Sequence, residues 1–197
     1  MKRSALDRLV SWVGLALAAV LLVAGVLLTV ASTFVNGQVA SQLAAQKITM
    51  PVAAAYGSLA PEDQAALAPY AGQEMTTGAQ AEAFADHYIQ AHINAMSGGK
   101  TYEEVSGEFI KLSKDPSADQ AKLKELGDLR QTMFMGATLR GMLLNAYAFG
   151  TMALIAGIAA VAAYVGAVVF LVLSLLGFRH AKDATGEALA GKAAAAE

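Results

Sequence analysis

The stretch MALIAGIAAVAAYVGAVVFLVLSLLGF, residues Met152 to Phe178, contains no charged side chain and belongs to a longer uncharged run from Gly141 to Phe178. A second uncharged run extends from Leu9 to Gln46. At 1.5 Å per helical residue, each run is long enough to cross the ~30 Å hydrocarbon core of a bilayer. Because lipid offers no hydrogen-bond partner to the backbone, both runs are predicted to be membrane-spanning helices.

The composition of the whole chain agrees with a membrane protein and excludes several other classes. Of its 197 residues, 56% are hydrophobic and only 15% are charged, whereas about a quarter of the residues are charged in ordinary soluble domains. The net charge of −2 offers no cationic field, so a nucleic-acid partner is not expected. The absence of cysteine excludes disulfides, thiolate metal sites and a cysteine nucleophile.

The charged residues near the two spans predict their orientation. Basic residues and one histidine flank the spans on the terminal sides: Lys2, Arg3, Arg8, Arg179, His180 and Lys182. By the positive-inside rule, both termini of this multi-pass plasma-membrane protein are expected in the cytoplasm, with the inverse orientation as the alternative. The segment between the spans carries twelve acidic and eight basic residues, which suits the translocated side. A cleaved signal peptide is a further alternative for the first span, but its apolar region exceeds the usual length of about 7–15 residues.

The expected organisation is all-α, since no segment shows the alternation of a β-strand. Residues 1–8 form a cytoplasmic tail, and residues 9–36 form the first transmembrane helix. Residues 37–140 form an extracytoplasmic helical domain. Residues 141–178 form the second transmembrane helix with its outer extension. The cytoplasmic tail at residues 179–197, rich in Ala and Gly, is expected to be disordered.

Two capping boxes predict helices in the extracytoplasmic domain. Thr77 with Gln80 should open a helix over about Ala79–Met96. Thr101 with Glu104 should open the next helix in the same way. The domain has few large apolar residues, so the protruding ends of both spans are expected to complete its core.

Three further boundaries follow from local sequence. The segment Lys47–Pro51 should end the first helix, because its Ile and Thr favour extended backbone and proline disfavours the helical conformation before it. A short helix is expected at Pro61–Leu67. Ser117 with Gln120 should open a third helix, which could merge with the second span.

Small residues recur at three- and four-residue steps in both spans, where they allow another helix to approach closely. The candidate packing residues are Gly14, Ala18, Gly25, Gly150, Ala153, Gly157 and Ala160. The two faces could pack only against each other. Alternatively, one of them could contact another membrane protein or a second copy of the chain.

Polar residues near the ends of the spans are candidates for contact with the lipid interface. These are Trp12, Arg140 and Arg179. The expected partner of all three is the lipid bilayer. Arg140 could snorkel to lipid phosphate or bind an anionic head group more specifically.

One predicted helix carries four residues that could suggest a metal or acid–base site: Glu82, Asp86, His87 and His92. The two histidines are five residues apart and therefore diverge around the helix, whereas metal ligands must converge on one point. No catalytic residue, metal or cofactor is predicted. The sequence leaves open whether His87 or His92 joins a site in three dimensions.

Three stretches resemble one known family: YAGQEMTTGAQAEAFADHYIQAHINAMSGGKTYEEVS at Tyr70–Ser106, AAQKITMP at Ala44–Pro51 and TLRGMLLNAYAFG at Thr138–Gly150. The chain is similar there to uncharacterised two-span membrane proteins of actinobacteria. In that family the position of Met50 is usually aromatic, a departure that affects packing only. Some members carry the label of an aromatic ring-opening dioxygenase, but the diverging histidines do not supply the ligand set of non-haem iron. The resemblance implies an envelope location and no established activity.

The expected function is that of a non-enzymatic membrane protein, an accessory or scaffold subunit that binds other membrane proteins. The alternative is a ligand- or lipid-sensing module, motivated by Arg140 and by the anchored helical domain. A hydrolase or oxygenase is the third hypothesis. It would require a cluster of polar side chains brought together by folding, and no such cluster is visible in the sequence.

Overall fold

The computed structural model describes the backbone of residues 3–194 and the side chains of residues 5–183. In that range the regular elements are helical and no strand is formed. Seven α-helices follow one another in the described range: α1 (Arg3–Ala45), α2 (Ala53–Tyr56), α3 (Pro61–Leu67), α4 (Gly78–Ala83), α5 (Gln90–Ser97), α6 (Tyr102–Ser113) and α7 (Gln120–Ala194). A 3₁₀ turn at Ala68–Tyr70 follows α3, and a π-helical turn at Phe84–Ile89 joins α4 to α5.

Both α1 and α7 are long and apolar enough to cross a membrane. Each contributes to two compact units of the chain. The first unit consists of Met1–Phe34 and Ala153–Glu197, and the second consists of Val35–Met152.

In the first unit, α1 and α7 pack against each other in opposite directions. Ser11 of α1 contacts Gly177 of α7, and Ser32 donates a hydrogen bond to the carbonyl of Ala153 at 2.7 Å. The two helices are therefore antiparallel. Small side chains face the partner helix, while the large apolar ones point outward. Examples of the outward set are Leu9, Val20, Leu27, Ile158, Val165 and Leu173.

The second unit has a core to which both long helices contribute. Leu67 and Met75 are fully buried at its centre. Leu43 from the end of α1 and Leu143 from α7 belong to the same cluster. The C-terminal end of α1 and the N-terminal part of α7 therefore complete this core, as the scarcity of large apolar residues in the domain predicts.

Two extended segments pair beside that core. The backbone N–H of Met50 donates to the carbonyl of Gln73 at 2.8 Å, and that of Met75 donates to the carbonyl of Ile48 at 2.9 Å. The pairing is an isolated bridge rather than a strand. It pairs backbone groups of the two segments, and the side chains of Met50 and Met75 are buried beside it.

The predicted capping boxes and the end of the first helix are confirmed. The N–H of Gln80 donates to Thr77 Oγ1 at 3.3 Å, while the N–H of Thr77 donates to Gln80 Oε1 at 3.0 Å. Thr101 and Glu104 form the same reciprocal pair at the start of α6. The first helix ends at Ala45, just before Lys47 adopts a positive φ of 52°. The short helix expected at Pro61–Leu67 is also present.

The start of α7 differs from the sequence prediction. Asp119, rather than Ser117, caps the helix, because its carboxylate accepts from the N–H of Ala121 at 2.8 Å. The hydroxyl of Ser117 instead donates to the carboxylate of Asp115 at 2.6 Å, within the preceding turn. The third helix does merge with the second span, since α7 runs without interruption from Gln120.

The C-terminal tail is a second difference. The composition of residues 179–197 predicts disorder, whereas α7 continues to Ala194. The physical reason is that alanine has the highest helix propensity, and extending an existing helix avoids the cost of nucleation. Residues 1–2 and 195–197, including Lys2 of the predicted cytoplasmic end, lie outside the described residues.

The capping box of α6 predicts a pH dependence. Hydrogen bonds from the backbone N–H and the hydroxyl of Thr101 lower the pKa of Glu104 below its ordinary value of 4.5. Its stabilising contribution is therefore present above pH 4.5 and lost as the pH falls through the lowered pKa. We expect Glu104→Gln, which keeps an acceptor for the cap, to lose this acid-dependent component. Thermal unfolding followed by circular dichroism at several pH values below 5 measures it. An unchanged pH profile in Glu104→Gln would contradict the assignment.

Candidate functional site

The π-helical turn at Phe84–Ile89 is the least regular feature of the helical domain. The N–H of Gln90 reaches back five residues to the carbonyl of Ala85, which is the hydrogen-bond spacing of a π-helix. The sequence predicts one continuous α-helix here, so the wider turn is a correction. It lies where two consecutive side chains, Asp86 and His87, contact two different neighbouring elements. Because turns of this kind occur frequently at functional sites, this segment is the candidate site.

Asp86 forms an ion pair with Arg140 of α7. Its Oδ1 accepts hydrogen bonds from Arg140 Nε at 3.0 Å and from Nη2 at 2.7 Å. Both side chains are about one-third exposed. The guanidinium thus joins the π-helical turn to α7, a partner that the sequence did not reveal. Its proposed contact with lipid stays a prediction.

We expect the Asp86–Arg140 pair to contribute more stability than an ordinary surface pair. A double-mutant cycle with Asp86→Ala and Arg140→Ala should give a coupling of about 1–2 kcal/mol, because two charge-assisted bonds are partly shielded from water. The exposed pair Lys124–Asp128 is the matched control, and should give no more than about 0.5 kcal/mol. Thermal or chemical unfolding of the full chain measures both. Equal couplings would mean that Asp86–Arg140 behaves as an ordinary surface pair.

His87 contacts a different element. Its Nδ1 lies 2.8 Å from Oδ1 of Asp63 in α3, and the Asp63 side chain is only 19% exposed. A carboxylate held against one ring nitrogen orients the imidazole, as in many general bases. Within the described residues, however, no hydroxyl is hydrogen-bonded to His87. The contact joins α3 to the π-helical turn.

His92 lies apart from His87. Its Nδ1 is 2.7 Å from the carbonyl of Tyr88, and its ring lies 4.4 Å from that of Tyr88. Tyr88 in turn stacks on Phe84, with ring centroids 5.1 Å apart. Among the described residues, no three His, Asp or Glu side chains are grouped as a metal site would require. His92 belongs instead to a short aromatic ladder, which we define as Phe84, Tyr88 and His92.

An open groove of about 320 Å³ lies beside this ladder. The ladder forms one wall, and α7 forms the other. The α7 residues that matter here are Met135, Gly136 and Leu139. A Cβ at Gly136 would lie 2.7 Å from Cδ1 of Ile93, so this glycine allows α5 and α7 to approach closely at the base of the groove. No sequence pattern indicated the groove, because its two walls come from segments far apart in the chain.

Two of the lipid-interface candidates, Trp12 and Arg179, lie near the end of the uncharged run in α7. The ring of Trp12 packs edge-on against that of Phe178, with centroids 5.5 Å apart, and is 64% exposed. Arg179, the residue after Phe178, is exposed. An amphipathic ring and a cation near the end of an uncharged helical run are typical of a membrane interface.

Most of the predicted packing residues lie between α1 and α7 in the first unit. Ala18, Ala153 and Ala160 are buried there. The contacts of the glycines are specific: Gly14 lies against Ser174, Gly25 against Tyr164, and Gly157 against Ser32. Tyr164 also shares a 3.1 Å hydrogen bond with Thr29. These polar contacts were not anticipated from the sequence.

Gly150 has a different role from the one predicted. A Cβ at Gly150 would meet Cα of Gly78 at 3.4 Å. This glycine therefore belongs to the second unit and accommodates the start of α4, rather than the first span. The reason is that α7 belongs to the second unit as far as Met152, so Gly150 still faces the helical domain.

Comparison with known proteins identified no relative: no family model matches the chain, and neither the curated proteins nor the solved structures contain a match.

Proposed function

We propose that the protein is a non-enzymatic integral membrane protein of the cell envelope, an accessory or scaffold subunit that binds other membrane proteins. Residues 37–140 would form its extracytoplasmic domain, and both termini would lie in the cytoplasm. The observation that carries the membrane location is the arrangement of side chains in the first unit. Small residues lie between the helices, and large apolar residues point outward from both.

This arrangement supports lipid rather than water as the surrounding solvent. Only 11% of the most apolar window of α1 and 22% of that of α7 is buried within the protein. The core helix of a soluble protein would be mostly buried, and soluble proteins rarely expose an apolar surface of this extent. The specific contacts of α1 with α7 also favour an uncleaved anchor over a signal peptide.

The orientation can be tested directly because the chain has no cysteine. Single variants Ser113→Cys and Lys182→Cys place a thiol at exposed positions on either side of the second span. A membrane-impermeant maleimide added to intact spheroplasts should modify Ser113→Cys only. Lys182→Cys should react only after permeabilisation. The opposite pattern would establish the inverse orientation, and equal reaction of both in a soluble fraction would reject the membrane location.

The scaffold role rests on surfaces other than the small-residue faces. Those faces are occupied by the contacts between α1 and α7. A partner would therefore bind the helical domain or the outward apolar faces of the spans. Co-expression of two differently tagged copies, followed by purification in mild detergent, tests which partner binds. Co-purification of the second tag identifies another copy of the chain, and co-purification of a different protein identifies another membrane protein. Recovery of the monomer alone from native membranes would contradict the scaffold role.

The second candidate function is a lipid-sensing module. The groove beside the aromatic ladder favours it, because the groove is apolar and lies on the helix that continues into the second span. We also propose that the chain is related to the actinobacterial two-span membrane proteins. The stretches Tyr70–Ser106, Ala44–Pro51 and Thr138–Gly150 support this proposal.

A further inference from the structure

We propose that the groove between the aromatic ladder and α7 binds one acyl chain of a membrane phospholipid. This inference rests on the proposed membrane location and goes beyond it by naming a site and a ligand class. It follows from the chemistry of the walls, from the size of the groove and from its continuity with the apolar surface of α7.

The walls of the groove present carbon rather than hydrogen-bonding groups. The Nδ1 of His92 is engaged by the carbonyl of Tyr88 at 2.7 Å. The hydroxyl of Thr132 donates to the carbonyl of Asp128 at 2.9 Å. The surface that the walls expose to the groove is almost entirely carbon. A polar ligand would lose its hydration there without replacement, whereas an alkyl chain would not.

The groove is too small to hold an α-helix, and its short walls would hold part of one acyl chain. The α7 wall extends from Thr132 to Leu139, a length of about 10 Å at the helical rise of 1.5 Å per residue. An α-helix about 10 Å in diameter would occupy roughly 800 Å³ over that length, more than twice the groove's volume of about 320 Å³. The close approach of α5 at Gly136 limits the depth further.

An apolar path leads from the groove along α7 toward the second span. Met135 and Leu139 line the groove and are themselves 54% and 42% exposed. Met142 and Phe149 follow at steps of three and seven residues and are also exposed. This spacing places all four on one face of α7. Apolar side chains therefore continue on this face of α7 from the groove toward the uncharged run.

Photolabelling of the reconstituted full chain tests the proposal. The probe is phosphatidylcholine with a diazirine at the end of one acyl chain, diluted into dioleoylphosphatidylcholine vesicles. After irradiation, mass spectrometry of the digested protein should find adducts in two places. Adducts on the outward residues of the spans report insertion, and adducts near Met96 and Met135 report occupation of the groove.

Charge substitutions separate the groove from general exposure to lipid. Met135→Lys puts a charge in the wall and should reduce groove labelling about tenfold, since an unpaired charge is costly beside hydrocarbon. Ala137→Lys adds the same charge on an exposed, non-lining position of α7 and should change labelling less than about twofold. Leu139→Asn is a second wall variant that introduces no charge and should also reduce groove labelling.

The possible results separate the acyl site from the membrane location. Labelling of the spans without the groove overturns the acyl site but leaves the membrane location standing. Absence of labelling in both rejects the membrane location as well. An equal loss of groove labelling in Met135→Lys and Ala137→Lys would overturn the proposed acyl-chain site. Labelling of the groove by diazirine-bearing palmitic acid but not by the phospholipid also overturns it, because the occupant would then be a free fatty acid.

Discussion

Replacement of Gly25 by alanine is expected to destabilise the packed pair of α1 and α7 by about 1–3 kcal/mol. A Cβ at this position would lie 2.7 Å from Cε1 and 2.9 Å from Cδ1 of Tyr164. Moving the ring aside would cost the hydrogen bond that its hydroxyl shares with Thr29 at 3.1 Å. Unfolding of the purified protein in mixed micelles, with increasing dodecyl sulfate, measures the loss.

Two variants serve as controls for Gly25→Ala. Gly37 lies on the same helix, and an added Cβ there would have no atom within 4 Å, so Gly37→Ala should stabilise by up to about 1 kcal/mol through helix propensity alone. Gly25→Ala in a Tyr164→Ala background should lose most of its penalty, because the opposing ring is gone. If Gly25→Ala were as stabilising as Gly37→Ala, the close packing of the two helices would be disproved.

Replacement of Gly78 by alanine is expected to lower the free energy of unfolding by about 2–3 kcal/mol, at least as much as Gly25→Ala. A Cβ here would lie 3.0 Å from the carbonyl oxygen of Ala146 and 3.0 Å from Cα of Tyr147. Both are backbone atoms of α7, so the clash can be relieved only by moving α4 away from α7. Thermal unfolding gives the stability loss, and hydrogen exchange should show faster exchange in α4.

Gly107 is the matched control for Gly78. It lies inside α6, is exposed, and has no atom within 4 Å of an added Cβ. Gly107→Ala should therefore stabilise by about 0.5–1 kcal/mol. Equal and small effects of the two substitutions would show that α4 does not lie against α7 as closely as described.

Much of the helical architecture could be predicted from local patterns. The uncharged runs indicated both long helices, and the two capping boxes indicated the starts of α4 and α6. These features depend on residues close together in the chain, where hydrogen-bond partners are set by spacing. The start of α7 was misassigned because Ser117, Asp119 and Asp115 offer competing local acceptors and donors.

The candidate site was much less accessible to sequence reasoning. Asp86 and Arg140 are separated by 54 residues, and Asp63 and His87 by 24. No local pattern distinguishes these partners from the other charged residues of the domain. The π-helical turn was also missed, because no glycine or proline marks an irregularity at Phe84–Ile89.

Hydropathy and capping act over a few residues, so the amino-acid order alone was enough to establish the helical class, the two apolar runs and the charges at their ends. Three-dimensional packing was needed to establish that Gly25 faces Tyr164, that Gly150 faces Gly78, and that Asp86 pairs with Arg140. The groove beside the aromatic ladder also depends on three-dimensional packing, because its walls come from two distant segments. Such contacts depend on the relative placement of helices within each unit, which is set by close packing between residues far apart in the chain.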